Sequence, residues 1–370
     1  MWAVAACEGQ KDGEKRCRYG IKSVTLPCFR AEKEGQKGLA TGLGCMDIFA
    51  GMRLKLLLYK QSNIMKRYFS TTMALAFAMA MSAQTLFVGT YNIRQHNSGD
   101  DKEGNVWTVR SKVIADQINF EDPDAFGTQE CFKSQLDDLT ARLDGYAHIG
   151  VARDDGKESG EYSAIFYKKE RLQLLRHGDF WLSETPDKPG LGWDAACIRI
   201  CSWGEFRQKD TGFRFHYFNL HMDHVGVVAR REAAKLAVKK IKEIAKGGPV
   251  VLTGDFNVDQ TDEIYRIFTT SGVLKDSYEC AEFRFAENGT FNSFKPWLKS
   301  DSRIDHVFVS PKFNVKRYGM LTDMYWTKDP AYNAGEQKGH DAPQELRFKE
   351  YQLRTPSDHY PVLVKMRYEK

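Results

Sequence analysis

Short apolar strand-like runs ending in acidic or amide side chains, interleaved with amphipathic helical stretches, predict an α/β fold with sheets packed face to face and helices outside, in one domain. Three observations carry this. VVLTGDFNVD (250–259) is a buried strand leading into a turn. Before it, Ala233, Ala237, Ile241 and Ile244 form one helical stripe that Gly247-Gly248-Pro249 stops. No internal repeat is evident along the 370 residues.

The remaining elements follow in chain order. TLFVGTYNI (85–93) reads as a strand with a polar end, and Val106, Val109, Val113 and Ile114 then recur at helical spacing before Pro123. DAFGTQE (124–130) is a second short strand ending in Glu130, followed by Phe132, Leu136, Leu139 and Leu143 at steps of 4, 3 and 4, the pattern of an amphipathic helix. YSAIFYKK (162–169), GDFWL (178–182), the aromatic FRFHYFNLH (213–221), RIDHVFVSP (303–311) and HYPVLVKMRY (359–368) read as further strands.

The first 64 residues differ from the rest. They hold 11 Lys and Arg against 6 Asp and Glu, so the chain's whole surplus of five positive charges lies there, and residues 65–370 balance at 43 of each. They also hold Cys7, Cys17, Cys28 and Cys45 and show no sustained period. From Met65, MKRYFSTTMALAFAMAMSAQ has the layout of a secretory signal peptide: two cations, a short apolar core and small residues ending at Ala83. The apolar run is much shorter than the ~20 residues that span a bilayer. The expectation is an upstream, disordered extension over 1–64, a signal peptide over 65–83 and one folded domain over 84–370. That makes the mature protein secreted or periplasmic in a bacterium. No cysteine stands at the cleavage point to carry a lipid, so no stable membrane anchor is expected. Cys131, Cys197, Cys201 and Cys280 are too few for a disulfide scaffold; Cys197 and Cys201 are spaced to pair or to sit as two buried thiols.

Asn92, Glu130, His221, Asp255, Asn257, Asp305, Asp358 and His359 all fall at the end of an apolar strand or beside the last one. Polar groups gathered at strand ends on a rigid core are how layered folds build active sites. Singly, each has a plainer explanation, since Asp255 and Asn257 suit a turn and Asp358 suits a cap.

TYNI, TQE, NLHMDH, TGDFN, RIDHVF and SDHYPV, in this order, resemble the signature of the endonuclease/exonuclease/phosphatase superfamily over residues 85–368. FWLSETPDKPGLGWDAACIRICSW (180–203) further resembles a secreted bacterial branch and, more distantly, a deadenylase-like one. The resemblance implies a DNase I-like four-layer α/β sandwich, two packed sheets flanked by helices, and a Mg²⁺-dependent phosphoric ester hydrolase, with Mn²⁺ as the alternative ion. It implies that Glu130 holds the metal with Asn92 and Asp358 close to the same ion. Asp255 and Asn257 then orient the attacking water and hold the phosphate. His359, backed by Asp305, faces the phosphate, and His221, supported by Glu161, donates a proton to the leaving group. On a strand, residues two apart share a face, so His221 and Asp223 are expected to point together while Met222 packs on the other side. Asp223 and His224 lie outside the pattern shared by the family and are expected to border the substrate pocket, with Trp193, Arg199 and Arg230. Trp181, Trp203 and Trp326 are further candidates for its wall. A zinc reading of LHMDH needs a third protein ligand, and none has a recognisable spacing nearby.

Three functions follow: hydrolysis of a small phosphorylated substrate such as a sugar phosphate or lipid headgroup, a nuclease activity including a deadenylase-like exonuclease, or a catalytically dead binding module. The motif set is filled, which argues against the last. Beyond Ala83 the chain holds 41 basic and 43 acidic side chains, which supplies no general surplus for a polynucleotide backbone. The small substrate is therefore the expected partner.

Overall fold

The computed structural model describes residues 84–285, 288–328, 341, 343–346, 348, 349 and 351–369, together with positions 59, 61, 65 and 66. Apart from those four positions, the expected extension and signal peptide lie outside the described residues. The first sheet is built from β1 (Thr85–Asn92), β2 (Ala125–Gln129), β3 (Tyr146–Ile149), β4 (Ile165–Lys168), β10 (Arg284–Phe285), β12 (Phe313–Met320) and β15 (Val362–Tyr368), in the order β10-β12-β15-β1-β2-β4-β3. The second contains β5 (Leu172–Trp181), β6 (Ile200–Gln208), β7 (Arg214–His221), β8 (Val250–Asp255), β9 (Lys275–Asp276) and β11 (Asp305–Val309), in the order β5-β6-β7-β8-β11-β9. A separate hairpin pairs β13 (Tyr325–Thr327) with β14 (Gln352–Arg354).

Helices α1 (Ser98–Lys102), α2 (Trp107–Glu121) and α3 (Lys133–Arg142) follow β1 and β2; α4 (Val227–Ala245) and α5 (Glu263–Thr269) follow the central strands β7 and β8 of the second sheet, and α6 (Ser277–Cys280) follows its edge strand β9. Trp107, Ile114 and Ile118 of α2 and Leu136 and Leu139 of α3 share one buried cluster with Phe126 and Phe166 of the first sheet. Ala233, Ala237 and Ile241 of α4 share another with Phe218, Leu220 and Leu252 of the second. A third cluster lies between the sheets. The described residues of 84–369 form a four-layer α/β sandwich, as the sequence predicts. Among the described residues no helix is long and apolar enough to cross a membrane.

Strand parity decides what lies between the sheets, because alternate side chains face opposite ways. On β7, Phe218 and Leu220 pack under α4, whereas Phe215 and Tyr217 enter the inter-sheet core. Asn219 and His221 continue that inner face. The same face reads Leu86, Val88, Thr90, Asn92 on β1; Ala125, Gly127, Gln129 on β2; and Val251, Thr253, Asp255 on β8. Toward one end of the sandwich the filling therefore changes from apolar to hydroxyl and amide, and then to carboxylate and imidazole.

The middle tier of that gradient is a closed polar network. Asn219 Oδ1 accepts from Gln129 Nε2 at 2.6 Å and Thr253 Oγ1 at 3.0 Å. Its Nδ2 donates to the carbonyls of Thr128 and Ala164 at 2.9 and 3.0 Å. Asn219 is fully buried, so these bonds join the two sheets just beneath the polar end. Gly127 is required there because a Cβ would collide with the Asn219 amide.

Candidate active site

Register brings three of the expected residues into one row. His221 pairs with Asp255 across parallel β7 and β8, and Asp255 pairs with Asp305 across antiparallel β8 and β11. His359 reaches this row from the turn before β15: its Nδ1 lies 2.8 Å from Asp305 Oδ2, and its Nε2 lies 3.8 Å from Asp255 Oδ2. Glu130 and Asn257 follow β2 and β8 with φ of 61° and 50°. Non-glycine residues pay for the left-handed region, and such strain concentrates at functional sites. Asn257 is held by its N–H on Asp255 Oδ1 at 3.0 Å and by Nδ2 on the Met222 carbonyl at 2.9 Å.

These groups open onto a cleft of about 610 Å³ whose lining includes Glu130, Glu161, His221, Asp255, Asn257, Asp358 and His359. Asp305 and Asn92 stand just behind it. Burial pushes the Asp255 carboxyl up to about 7, with the neighbouring Asp305 charge adding to the rise and His359 opposing it. Burial likewise raises Asp358 to about 6. Burial disfavours a charged His359, but the Asp305 carboxylate, assisted by Asp255 and Asp358, outweighs it and holds the imidazole pKa well above its ordinary value. His221 goes the other way. Burial, then Arg199 and Arg153, push it well below, so it is neutral near pH 7.

Asn92 donates through Nδ2 to Glu130 Oε1 and Asp255 Oδ2, both at 3.0 Å, while its Oδ1 accepts from the Arg94 N–H. It thus stands between these two carboxylates. Several expectations need correction. Glu161 does not hydrogen-bond His221: Oε2 is 3.9 Å from Nδ1, and both carboxylate oxygens are held by Arg153 at 2.6 and 3.0 Å. Asp223 is nearly inaccessible and does not line the cleft, because the chain leaves the strand after His221 and the two-residue parity ends there. Its oxygens accept from the backbone N–H of Ala196, Cys197, Val225 and Gly226. Burial alone would raise its pKa, but those amides and Arg199 hold it at about 2.

Trp193 packs beside the helix-side core and Arg230 donates to the Asp223 carbonyl; neither lines the cleft. Trp181 is buried with Nε1 on the Arg153 carbonyl, Trp203 packs on the same core and Trp326 is exposed, so none of the three walls the cleft. Arg199 and His224 do line it, and Met222 is fully buried as expected. Cys131, Cys197, Cys201 and Cys280 are free thiols.

Other residues carried no usable sequence signal. Arg94 lines the cleft with φ 57°, anchored by Nε on Asp100 Oδ2 at 2.8 Å. Its loop is held by Arg110, fully buried, which donates to the carbonyls of Ile93, Arg94, Asn105 and Pro356. Arg153 lines the same cleft, paired with Glu161. The position of Arg94, two residues past the strand-end Asn92, was the one available hint.

The donor set fits a hard divalent cation. Arg94 Nη1 lies 3.9 Å from Glu130 Oε2 and 3.6 Å from Asp358 Oδ2, so a guanidinium nitrogen already marks where positive charge is held between the two carboxylates. Ligand atoms of Glu130, His221 and Asp255, and of Asp255, Asp305 and His359, also lie within 4.8 Å of one another. Carboxylate-rich sites suit Mg²⁺ or Mn²⁺ rather than a thiolate metal. The fold does supply the third neighbour that the zinc reading of LHMDH lacked, since Cys197, Asp223 and His224 converge within 4.8 Å. Asp223 is already saturated by amides, and the Arg199 guanidinium contacts both Asp223 Oδ2 and His224 Nδ1, the atoms a metal would need.

The family model described as "Endonuclease/Exonuclease/phosphatase family" matches residues 89–359. The chain belongs to this family. An endonuclease/exonuclease/phosphatase family protein from Bacteroides thetaiotaomicron is 51% identical, with a TM-score of 0.71 over 77% of this chain and 98% of the other. A mannosyl-6-phosphatase of Bacteroides thetaiotaomicron is 52% identical, with a TM-score of 0.70 over 76% of this chain and all of the other. Among curated relatives, nocturnin of Drosophila melanogaster is 25% identical over 195 residues, 49% of this chain and 29% of nocturnin. Enzymes of the endonuclease/exonuclease/phosphatase family are generally dependent on a divalent metal.

Proposed function

We propose that this chain is a Mg²⁺-dependent phosphomonoesterase acting on a small sugar phosphate, exported as a mature chain beginning near Gln84. The observation that carries the reading is the cleft itself. At about 610 Å³ it has the dimensions of a small-molecule pocket, with the catalytic cluster in its lining. The 52% identity to a mannosyl-6-phosphatase supports a hexose 6-phosphate in particular.

Glu130 and Asp358, with Asp255 beside them, would hold the cation. When bound it supplies charge neutralisation on the phosphoryl oxygens. Asp255 orients the attacking water and accepts its proton; its raised pKa suits a base working near neutrality. Asn257, fixed by two hydrogen bonds, presents an amide edge to the phosphate. His359, kept protonated by Asp305, donates to a phosphoryl oxygen. As the phosphorus–oxygen bond breaks, the leaving oxygen takes a proton from His221. Because His221 is neutral in the free protein, that proton arrives with the substrate, which a phosphomonoester monoanion can carry. Burial, with Arg199 and Arg153 nearby, keeps this ring neutral until then.

The test is phosphate release from mannose 6-phosphate, glucose 6-phosphate, a short phosphodiester and single-stranded RNA, each with Mg²⁺ and with EDTA. Turnover of a hexose phosphate well above RNA is expected. Salt-sensitive RNA cleavage with negligible turnover of every small ester replaces this reading with the nuclease.

A further inference from the structure

His224 is exposed and lines the cleft. Its Nδ1 lies 3.0 Å from Arg199 Nη2. A guanidinium nitrogen can only donate, so Nδ1 must carry the lone pair and the ring proton must sit on Nε2. A protonated ring would lose this bond and set two cations together. The tautomer is thus fixed by the partner rather than left to solvent.

That partner is itself immobile. The Arg199 side chain is 5% exposed, and its Nε lies 3.4 Å from Asp223 Oδ2. Asp223 is pinned in turn by the N–H groups of Ala196 and Cys197 on Oδ2, at 3.1 and 3.2 Å, and of Val225 and Gly226 on Oδ1, at 2.9 and 2.7 Å. Four backbone amides fix a carboxylate, the carboxylate fixes a guanidinium, and the guanidinium fixes an imidazole. The Asp223 charge offsets that of Arg199, so the chain ends in an uncharged N–H donor. Recognition of a second phosphate or a carboxylate is better served by a cation. An uncharged donor suits an uncharged acceptor.

We propose that His224 is a specificity-determining residue whose Nε2–H reads a hydroxyl group on the sugar of the substrate. This rests on the sugar-phosphate reading of the cleft. Asp223, which sequence placed in the pocket, then acts through Arg199 as a positioning residue.

The test compares kcat/KM for mannose 6-phosphate and for p-nitrophenyl phosphate, which has no sugar hydroxyl, in the wild-type full chain, His224→Ala and His224→Gln. The ratio of the two constants does not depend on how much of a variant is folded. His224→Ala should lower that ratio about tenfold, the equivalent of about 1.4 kcal/mol, mainly through KM. His224→Gln, which restores an N–H donor, should recover part of it. In ¹⁵N-histidine spectra, the resonance lost in His224→Gln should show an unprotonated Nδ1. An equal loss for both substrates, or a protonated Nδ1, overturns the inference while leaving the sugar-phosphate reading intact. A wild-type protein that turns over p-nitrophenyl phosphate but no sugar phosphate overturns both.

Discussion

Removing the Asn219 side chain tests whether the polar tier between the sheets holds the active-site end together. In Asn219→Ala, four hydrogen bonds of 2.6–3.0 Å disappear from a fully buried position. At about 1 kcal/mol net for each, the loss is about 4 kcal/mol. Some partners keep a second bond: Gln129 Nε2 still donates to Thr90 Oγ1 at 3.0 Å, and Thr253 Oγ1 to the Phe218 carbonyl at 3.2 Å. This lowers the loss toward 3 kcal/mol, roughly, and the cavity left by truncation raises it again. Against a typical total of about 5–15 kcal/mol, that is a large fraction. Urea unfolding followed by tryptophan fluorescence measures it. Asn219→Leu separates the two contributions, since it fills the volume but leaves the polar partners unmet, and it should lose a similar amount. A leucine variant as stable as the wild type would refute the idea that hydrogen bonds, rather than volume, join the sheets here.

Asp255→Asn should abolish turnover yet raise the melting temperature of the protein in EDTA at pH 7.5. The folded state holds the Asp255 proton up to about pH 7, whereas the unfolded carboxyl ionises near 3.8, so this group destabilises the fold increasingly as pH rises between those values. The amide removes a penalty of up to about 4 kcal/mol; a lower melting temperature counts against it. Asp305→Asn takes away the carboxylate that keeps His359 protonated, so the alkaline limb of the pH–rate profile should move to lower pH. An unmoved limb would show that His359 does not act as a cation. His221→Ala should cost more on alkyl phosphates than on nitrophenyl esters, because only poor leaving groups need a proton. Equal losses would remove His221 from that role.

Strand-end position and the family resemblance made most of the site legible in the sequence. Asn92, His221 and Asp255 end their strands on the face that also carries Val88, Tyr217 and Val251, which is why those strand ends meet. Strand parity failed at Asp223, because a strand that has ended no longer alternates. Hydropathy also misread α2, where Val109 is 41% exposed while Arg110 is fully buried against four carbonyls. A charged residue that serves as a backbone clamp looks like surface in a sequence. Strand β6 was missed for a related reason: Glu205 and Arg207 stud its outer face and Gly204 interrupts the run. Arg153 lies in a polar loop without periodicity: a chain reversal pairs it with Glu161, eight residues on, and tertiary contact brings it beside His221.

The dependence of hydrolysis on free Mg²⁺, measured for wild type and Glu130→Ala with mannose 6-phosphate and EDTA-buffered metal, bears most directly on the central claim that these carboxylates work by holding a cation. The wild-type rate should rise from baseline to saturation. The variant should lose about 10²–10³-fold at the same Mg²⁺ concentration and need far more metal to approach its own plateau. A wild-type rate that EDTA leaves unchanged, or a variant with the wild-type metal titration curve, would contradict the claim.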